Sequence, residues 1–326
     1  MKVLITGGTG FIGSHLIEYL LSKGAEIYAL VRNPSNIRWL TPIKDKIHIL
    51  KGDLFNLPEI PKNIDYVFHL AGITKSNSIR IKNYYIINHA GTANLLNFLE
   101  SKKILPKKFI YLSSLSVAGP CKLESPNRED DPPNPISHYG RSKLLGEKEV
   151  LSRKDNFPVI IIRTPGIYGP RDKDFLSGLK SIKKGLFISF GKKVWLSLCY
   201  VKDLVEGMFL ASQVNVKSGE IFNIADPKIY TWEEFCLTAA EIMNVKVKKI
   251  TIPIPLVYPV CFISEIFSIL SKQDLILNFD RIKELKQEAW VCSSEKAEKY
   301  LNFKAHYSLK EGLKETISWY LKQKWL

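Results

Sequence analysis

The sequence predicts an α/β protein built on a doubly wound parallel sheet. Three observations carry that expectation: short apolar runs that are continuous rather than alternating, amphipathic helical stretches between them, and a glycine-rich turn joining the first run to the first helix. A strand covered by helices on both faces has no water-facing side to mark with polar residues, so its apolar run is unbroken.

In chain order, strands are expected at Val3–Thr6, Ile27–Val31, Ile47–Leu50, Tyr66–Leu70, Phe109–Ser113, Val159–Arg163 and Ile221–Ile224. Helices are expected at Phe11–Lys23, closed by Gly24, at Tyr84–Ser101 and at Tyr139–Arg153. Right-handed crossovers between parallel strands make the doubly wound arrangement the default. Beyond Gly169 the regularity fades, and Gly178, Gly185 and Gly191 interrupt the chain. Residues 1–170 are therefore expected to form the main domain and 171–326 a smaller, interleaved region, with the strand at 221–224 rejoining the main sheet.

Composition removes other classes. With 45% hydrophobic residues the chain has ample core, and 19 Gly and 17 Pro in 326 residues exclude a collagen-like or low-complexity chain. Lys and Arg number 47 against 32 Asp and Glu, and 47 − 32 = +15. That charge is spread over both halves and its Lys doublets are scattered, so no nucleic-acid partner is expected. Five cysteines lie far apart without a Cys-x-x-Cys pair, which excludes a disulfide framework or a zinc signature. Met1-Lys2-Val3-Leu4-Ile5 runs directly into a strand rather than a secretory leader, and a cytoplasmic setting is expected.

Residues 252–270 carry a single charge, Glu265, and could pass for a membrane span. Pro253, Pro255 and Pro259 each remove a backbone donor that lipid could not replace. A capping helix over a substrate pocket is expected there, with peripheral membrane contact as the alternative.

Thr6-Gly7-Gly8-Thr9-Gly10-Phe11-Ile12-Gly13 follows the first strand and opens the first helix. Gly7 and Gly10 permit a tight turn and close approach to a pyrophosphate, Gly13 lets the helix pack on the strand, and the helix N-terminus adds partial positive charge. The candidate dinucleotide contacts in this Rossmann-type turn are Gly7, Thr9, Gly10, Phe11, Ile12 and Gly13. At the end of the second strand an NAD site places Asp or Glu, whereas this chain has Val31-Arg32-Asn33. Arg32, with Arg38 as a second contact, suits a 2′-phosphate, so NADP is expected in preference to NAD.

Tyr139-Gly140-Arg141-Ser142-Lys143 sets a tyrosine and a lysine four residues apart on one helix face. A nearby ammonium stabilises a phenolate and makes the phenol a usable proton exchanger. Leu112-Ser113-Ser114-Leu115-Ser116 lies at the end of a parallel strand, where hydroxyls face the cofactor crevice. Ser114 is the substrate-oxygen candidate, Ser116 is secondary, and Ser113 is expected to satisfy backbone groups.

These residues resemble the extended short-chain dehydrogenase/reductases, or NAD-dependent epimerase/dehydratase family. The resemblance rests on TGGTGFIG at 6–13, GDL at 52–54, HLAG at 69–72, Asn88, YLSSLSVAG at 111–119, YGRSK at 139–143, RTPGIYGPRD at 163–172, YVKDLVEG at 200–207, FNI at 222–224 and EGLKETISWY at 311–320. It implies that Tyr139 exchanges the proton, Lys143 holds the nicotinamide ribose and Ser114 orients the substrate oxygen. It further implies cofactor contacts from Asp53, Leu54, Ala71, Gly72 and Asn88, and closure around the nicotinamide at Pro165. Asn88 also reads as a helix cap or bend, and His69 as a packed core histidine.

Sugar-nucleotide enzymes of this family usually carry an Arg before the YVxDL-like segment, where this chain has Leu196-Ser197-Leu198-Cys199-Tyr200. Together with Arg32, that departure resembles the dihydroflavonol-reductase and 3β-hydroxysteroid-dehydrogenase branches. The implied function is NAD(P)-dependent hydride transfer to or from a carbonyl or hydroxyl carbon of a small, largely apolar substrate. The alternatives are a nucleotide-sugar epimerase or dehydratase, with Arg171 or Arg281 on the diphosphate, and a non-catalytic NADP-binding regulator. A homodimer is implied by the resemblance alone.

Overall fold

In the computed structural model, residues 1–35, 37–74, 81–271 and 279–326 are described, without the side chains of 265, 267–271, 279 and 281. Seven parallel strands form the main sheet: β1 (Lys2–Thr6), β2 (Glu26–Val31), β3 (Ile47–Lys51), β4 (Tyr66–His69), β5 (Lys108–Leu112), β6 (Val159–Arg163) and β10 (Glu220–Asn223). Their order is β3-β2-β1-β4-β5-β6-β10, and every neighbouring pair is parallel. The chain winds outward from β1 through β2 and β3, then crosses back to β4. The crevice between β1 and β4 is thus the point where strand order reverses, and such a point receives ligands in open α/β sheets.

The alternation within each strand explains why its run reads as continuous. Val3 and Ile5 join one core with Leu16, Leu20, Leu204 and Met208, packed by α1 (Phe11–Ser22) and α6 (Val201–Gln213). Leu4 joins the other, with Leu95, Leu99 and Val150 from α3 (Gly91–Ser101) and α4 (His138–Leu151). The helix expected over Tyr84–Ser101 is divided: α2 (Lys82–Tyr85) passes through a π turn at Ile86–Ala90 before α3 begins.

The remaining elements build a smaller layer at one end of the sheet. β7 (Gly166–Tyr168), β9 (Trp195–Tyr200), β11 (Ile229–Thr231) and β13 (Ala289–Trp290) pair around β9. β8 (Leu186–Ser189) and β12 (Lys248–Thr251) form a separate two-stranded ribbon. Leu179 of α5 (Leu176–Lys183), Phe235 of α7 (Trp232–Met243), and Leu313 and Tyr320 of α11 (Leu309–Lys322) share one core with Tyr168 and Tyr200. α11 opens on a capping box in which Ser308 and Glu311 satisfy each other's backbone. α8 (Ile254–Ser271), α9 (Phe279–Leu285) and α10 (Glu295–Leu301) complete the chain.

Candidate active site

The turn after β1 is closed by contacts that only glycine permits. Gly7 adopts φ +74°, and a Cβ on Gly13 would lie 2.2 Å from the Gly7 carbonyl oxygen. Gly10 donates its N–H to that same oxygen at 3.0 Å. Gly10 also starts α1 without a side-chain cap, and no acidic residue follows in the first turn. The N–H groups of Phe11, Ile12 and Gly13 therefore belong to a helix N-terminus with no side-chain acceptor, the arrangement that receives a phosphate. Thr9 lies within the same turn, and Ala71 across the crevice donates its N–H to Thr6 Oγ1 at 3.1 Å.

Beyond β2 the two arginines separate. Arg32 stands exposed directly after the strand. Arg38, expected to share a 2′-phosphate, instead lies 4.5 Å from the Trp39 ring and donates to Gln323 Oε1 at 3.5 Å. An aromatic clasp draws it there: Trp39 meets Trp319 and Trp325, and the Arg171 guanidinium covers Trp39 from 5.4 Å. Asp53 Oδ1 accepts the N–H groups of Phe55 and Asn56, each at 2.8 Å, so this carboxylate builds its own turn. Leu54 is buried in the core beside α3.

The proton-exchange candidates come from two adjoining segments. Ser137 caps α4 by accepting the Gly140 N–H at 3.1 Å. A Cβ on Gly140 would fall 2.4 Å from the Ser116 carbonyl oxygen, so the first turn of α4 lies directly on the Ser114–Ser116 turn that ends β5. Ser114 Oγ accepts the Ser116 N–H at 3.2 Å. Tyr139, half-buried, sets its ring 6.0 Å from that of Tyr84. Lys143 is buried, donating to the Leu112 carbonyl at 2.6 Å with its Nζ 4.1 Å from the Tyr111 ring. Burial pulls its pKa down to about 7, and Glu147 one turn on opposes the shift.

Asn88 ties this helix to the crevice. Its Oδ1 accepts the Ile73 N–H at 2.8 Å, while Nδ2 donates to the Ile73 carbonyl and to Ser142 Oγ, each at 3.0 Å. Asn88 thus sits in the π turn and holds Ile73 against α4. A Cβ placed on Gly72 would be 3.9 Å from Lys143 Nζ. Pro165, half-buried, follows Thr164, whose carbonyl accepts the Leu115 N–H at 2.9 Å, so it borders the Ser114 turn. His69 is packed in the core: Nδ1 meets Thr6 Oγ1 at 2.6 Å and Nε2 meets Thr92 Oγ1 at 2.9 Å. Burial holds its pKa down to about 3, so the ring is neutral.

Two residues escaped the sequence reading. Glu147 and Arg163 form a fully buried ion pair, and Ser113 Oγ donates to Glu147 Oε1 at 2.5 Å, so Ser113 serves a side chain and not the backbone. The available signal was the Arg at the end of the apolar run Val159–Ile162, since a buried guanidinium requires a carboxylate. Of the arginines weighed for a diphosphate, Arg171 is committed to Ser14 Oγ at 3.0 Å and Glu18 Oε1 at 2.6 Å. The Arg281 side chain lies outside the described residues.

At the first residue of α4, Asp280 of α9 accepts the His138 N–H at 2.7 Å, which ties α9 to the start of the Tyr139 helix. No helix among the described residues is long and apolar enough to cross a membrane.

The model of the NAD dependent epimerase/dehydratase family matches residues 3–225. A sterol-4-alpha-carboxylate 3-dehydrogenase (decarboxylating) of Dictyostelium discoideum is 28% identical, covering 78% of this chain and 80% of that protein. A ceramide reductase of Caulobacter vibrioides is 25% identical, covering 99% of this chain and 96% of that protein. Among solved structures, UDP-glucuronic acid 4-epimerase from Bacillus cereus, in complex with UDP-glucuronic acid and NAD, superposes with a TM-score of 0.81. It is 23% identical, covering 99% of this chain and all of that one, and it shares the fold.

Proposed function

The chain belongs to the NAD dependent epimerase/dehydratase family, and on that premise we propose that it is an NADP(H)-dependent carbonyl/alcohol oxidoreductase acting on a largely apolar substrate. The observation that carries this reading is the packing of α4, which bears Tyr139 and Lys143, by its first turn on the Ser114–Ser116 turn, with Lys143 Nζ beside Gly72 at the crevice.

The crevice residues fit a dinucleotide. The Gly7–Gly13 crossing leaves no room for a side chain, and the uncapped first turn of α1 offers its N–H groups to a pyrophosphate. Phe11, Ile12 and Gly13 would hold that group with Gly7, Thr9 and Gly10, and Ala71, Gly72 and Lys143 would face the nicotinamide ribose. The exposed Arg32 guanidinium would pair with a 2′-phosphate, which is why NADP is preferred over NAD. When bound, the nicotinamide supplies or accepts the hydride.

Ser114 Oγ donates to the substrate oxygen and orients it. Tyr139 protonates that oxygen from its hydroxyl in the reducing direction and takes the proton back in the oxidising one. Lys143 in its ammonium form stabilises the phenolate left behind. Asn88 positions the loop and α4 relative to each other. Residues 171–326 without β10 are assigned to substrate binding, and the names of the sterol and ceramide relatives support an apolar substrate. For a nucleotide-sugar reading, Arg171 is already engaged by Ser14 and Glu18, which removes one of the two arginines weighed for a diphosphate. A cytoplasmic setting and a homodimer complete the proposal.

Tyr139→Phe tests the assignment. Reduction of a panel of apolar ketones and aldehydes by NADPH should fall by about 10²–10⁴-fold, the range for loss of a general acid, while NADPH still binds. Near-normal turnover by the variant overturns it.

A further inference from the structure

Among its described side chains, helix α8 packs on the protein by a narrow stripe and exposes five large apolar residues. Val257 and Cys261, one turn apart, pack on Ile282 and Phe190. Leu256, Val260, Phe262, Ile263 and Ile266 are exposed by 44–67%, and Ile263 the most. A soluble helix normally presents charge on its free face, because exposed apolar area costs about 25 cal/mol per Å². Here Glu265 is the single charge in the whole of α8. The strand leading into this helix continues the feature: Ile250 of β12 is the register partner of Ile188 in β8, and both are exposed.

The charge around this surface has one sign along one whole segment. Residues 176–202, which include β8 and Phe190, contain six lysines and no Asp or Glu. Lys192 of this segment pairs with Glu288 and Lys249 of β12 with Glu233, while Lys248 lies exposed on β12 and Lys286 Nζ sits 5.1 Å from the Tyr258 ring at the edge of α8. An apolar face bordered by lysines matches a bilayer with anionic headgroups, where the side chains enter the acyl boundary and the ammonium groups remain among phosphates. Pro259 inside the helix and the single stripe by which α8 packs on Ile282 and Phe190 suit a helix lying in the interface.

We propose that α8 is a monotopic docking element that seats the protein on an anionic phospholipid surface. Asp280 of α9, the helix that packs with α8 through Ile282, accepts the backbone N–H of His138, next to Tyr139, so the docking element is tied to the helix that carries the candidate site. An amphiphilic substrate then reaches Tyr139 from the bilayer without passing through water. This last step rests on the oxidoreductase reading; the docking itself does not.

Flotation of the full chain with phosphatidylcholine vesicles, with and without phosphatidylglycerol, tests it. Wild type should float with the mixed vesicles, and more weakly with phosphatidylcholine alone or at high salt. Phe262→Glu with Ile263→Glu should leave the protein in the aqueous phase, with NADPH binding and reduction of a short soluble ketone unchanged. Lys183→Glu with Lys184→Glu should lose the preference for phosphatidylglycerol. Wild type that stays in the aqueous phase overturns the proposal. So does light scattering that finds a dimer in wild type and a monomer in the Phe262/Ile263 variant, since the face would then belong to a second copy. Flotation without ketone reduction sinks the substrate step and spares the docking.

Discussion

Glu147 and Arg163 close a two-pronged ion pair between α4 and β6, Nε to Oε1 at 3.0 Å and Nη2 to Oε2 at 2.8 Å, with both side chains 2% exposed. The pair locks the helix that carries Tyr139 and Lys143 to the sheet, and Ser113 at the end of β5 adds a third anchor. Removing one partner leaves a buried charge alone, which costs about 3–5 kcal/mol. Glu147→Leu and Arg163→Leu should each lower the unfolding free energy read from urea titration by that amount. The double variant should recover much of the loss, because apolar replacement of both partners leaves no orphaned charge. Equal loss in the double variant would show that the pair itself is net stabilising.

Lys143 gives the site a proton linkage. Its ordinary pKa of 10.5 is held down to about 7 by burial, so between these values the unfolded chain carries a proton that the folded chain lacks. Stability therefore rises with pH across about 7 to 10.5, and the full penalty for burying the charge is present below about 7. A polyanionic dinucleotide favours the ammonium form and raises the pKa again. Titration calorimetry of NADPH near pH 8, in two buffers with different ionisation heats, should reveal proton uptake on binding. Lys143→Met should abolish the uptake and flatten the stability profile; uptake that persists would assign it to another group.

Arg32 is the proposed selector of the cofactor. Hydrogen bonds to charged groups contribute about 1.5–3 kcal/mol, which is roughly tenfold to a hundredfold in affinity. Arg32→Asp should weaken NADPH by that factor and tighten NADH, whose ribose hydroxyl can donate to the new carboxylate. Arg38→Ala should leave the NADPH to NADH ratio unchanged, because its guanidinium lies in the tryptophan clasp. Fluorescence titration of both nucleotides against both variants distinguishes the two arginines.

What was readable in the sequence follows from what each feature leaves in a local window. All seven strands of the main sheet were legible because Val3, Leu4 and Ile5 are buried on alternate faces, and double-sided burial writes itself as an unbroken run. The π turn at Ile86–Ala90 was not, since it carries no Pro or Gly within it and spans too few residues to show a period of its own. Arg38 was misplaced for a different reason. Its partner Gln323 is 285 residues away, and nothing near Arg38 announces a clasp. The two- and three-residue strands β13, β7 and β11 are too short to carry a periodicity at all.

The glycines of the chain separate two kinds of constraint, and one pair of variants measures both. Gly24 closes α1 at φ +73° with nothing within 4 Å of a Cβ, so Gly24→Ala meets only backbone strain, about 1–2 kcal/mol. Its cost should appear in unfolding and not in cofactor affinity. Gly13 lies within the first turn of α1, but its Cβ would press 2.2 Å from the Gly7 carbonyl, an atom of the turn itself. The turn must open to admit it, at about 1–3 kcal/mol of overpacking, and the amides that face the pyrophosphate move with it. Gly13→Ala should therefore lose at least about tenfold in NADPH affinity, equivalent to about 1.4 kcal/mol, as well as stability. If both variants lose stability and neither loses affinity, the turn holds the fold together without holding the cofactor.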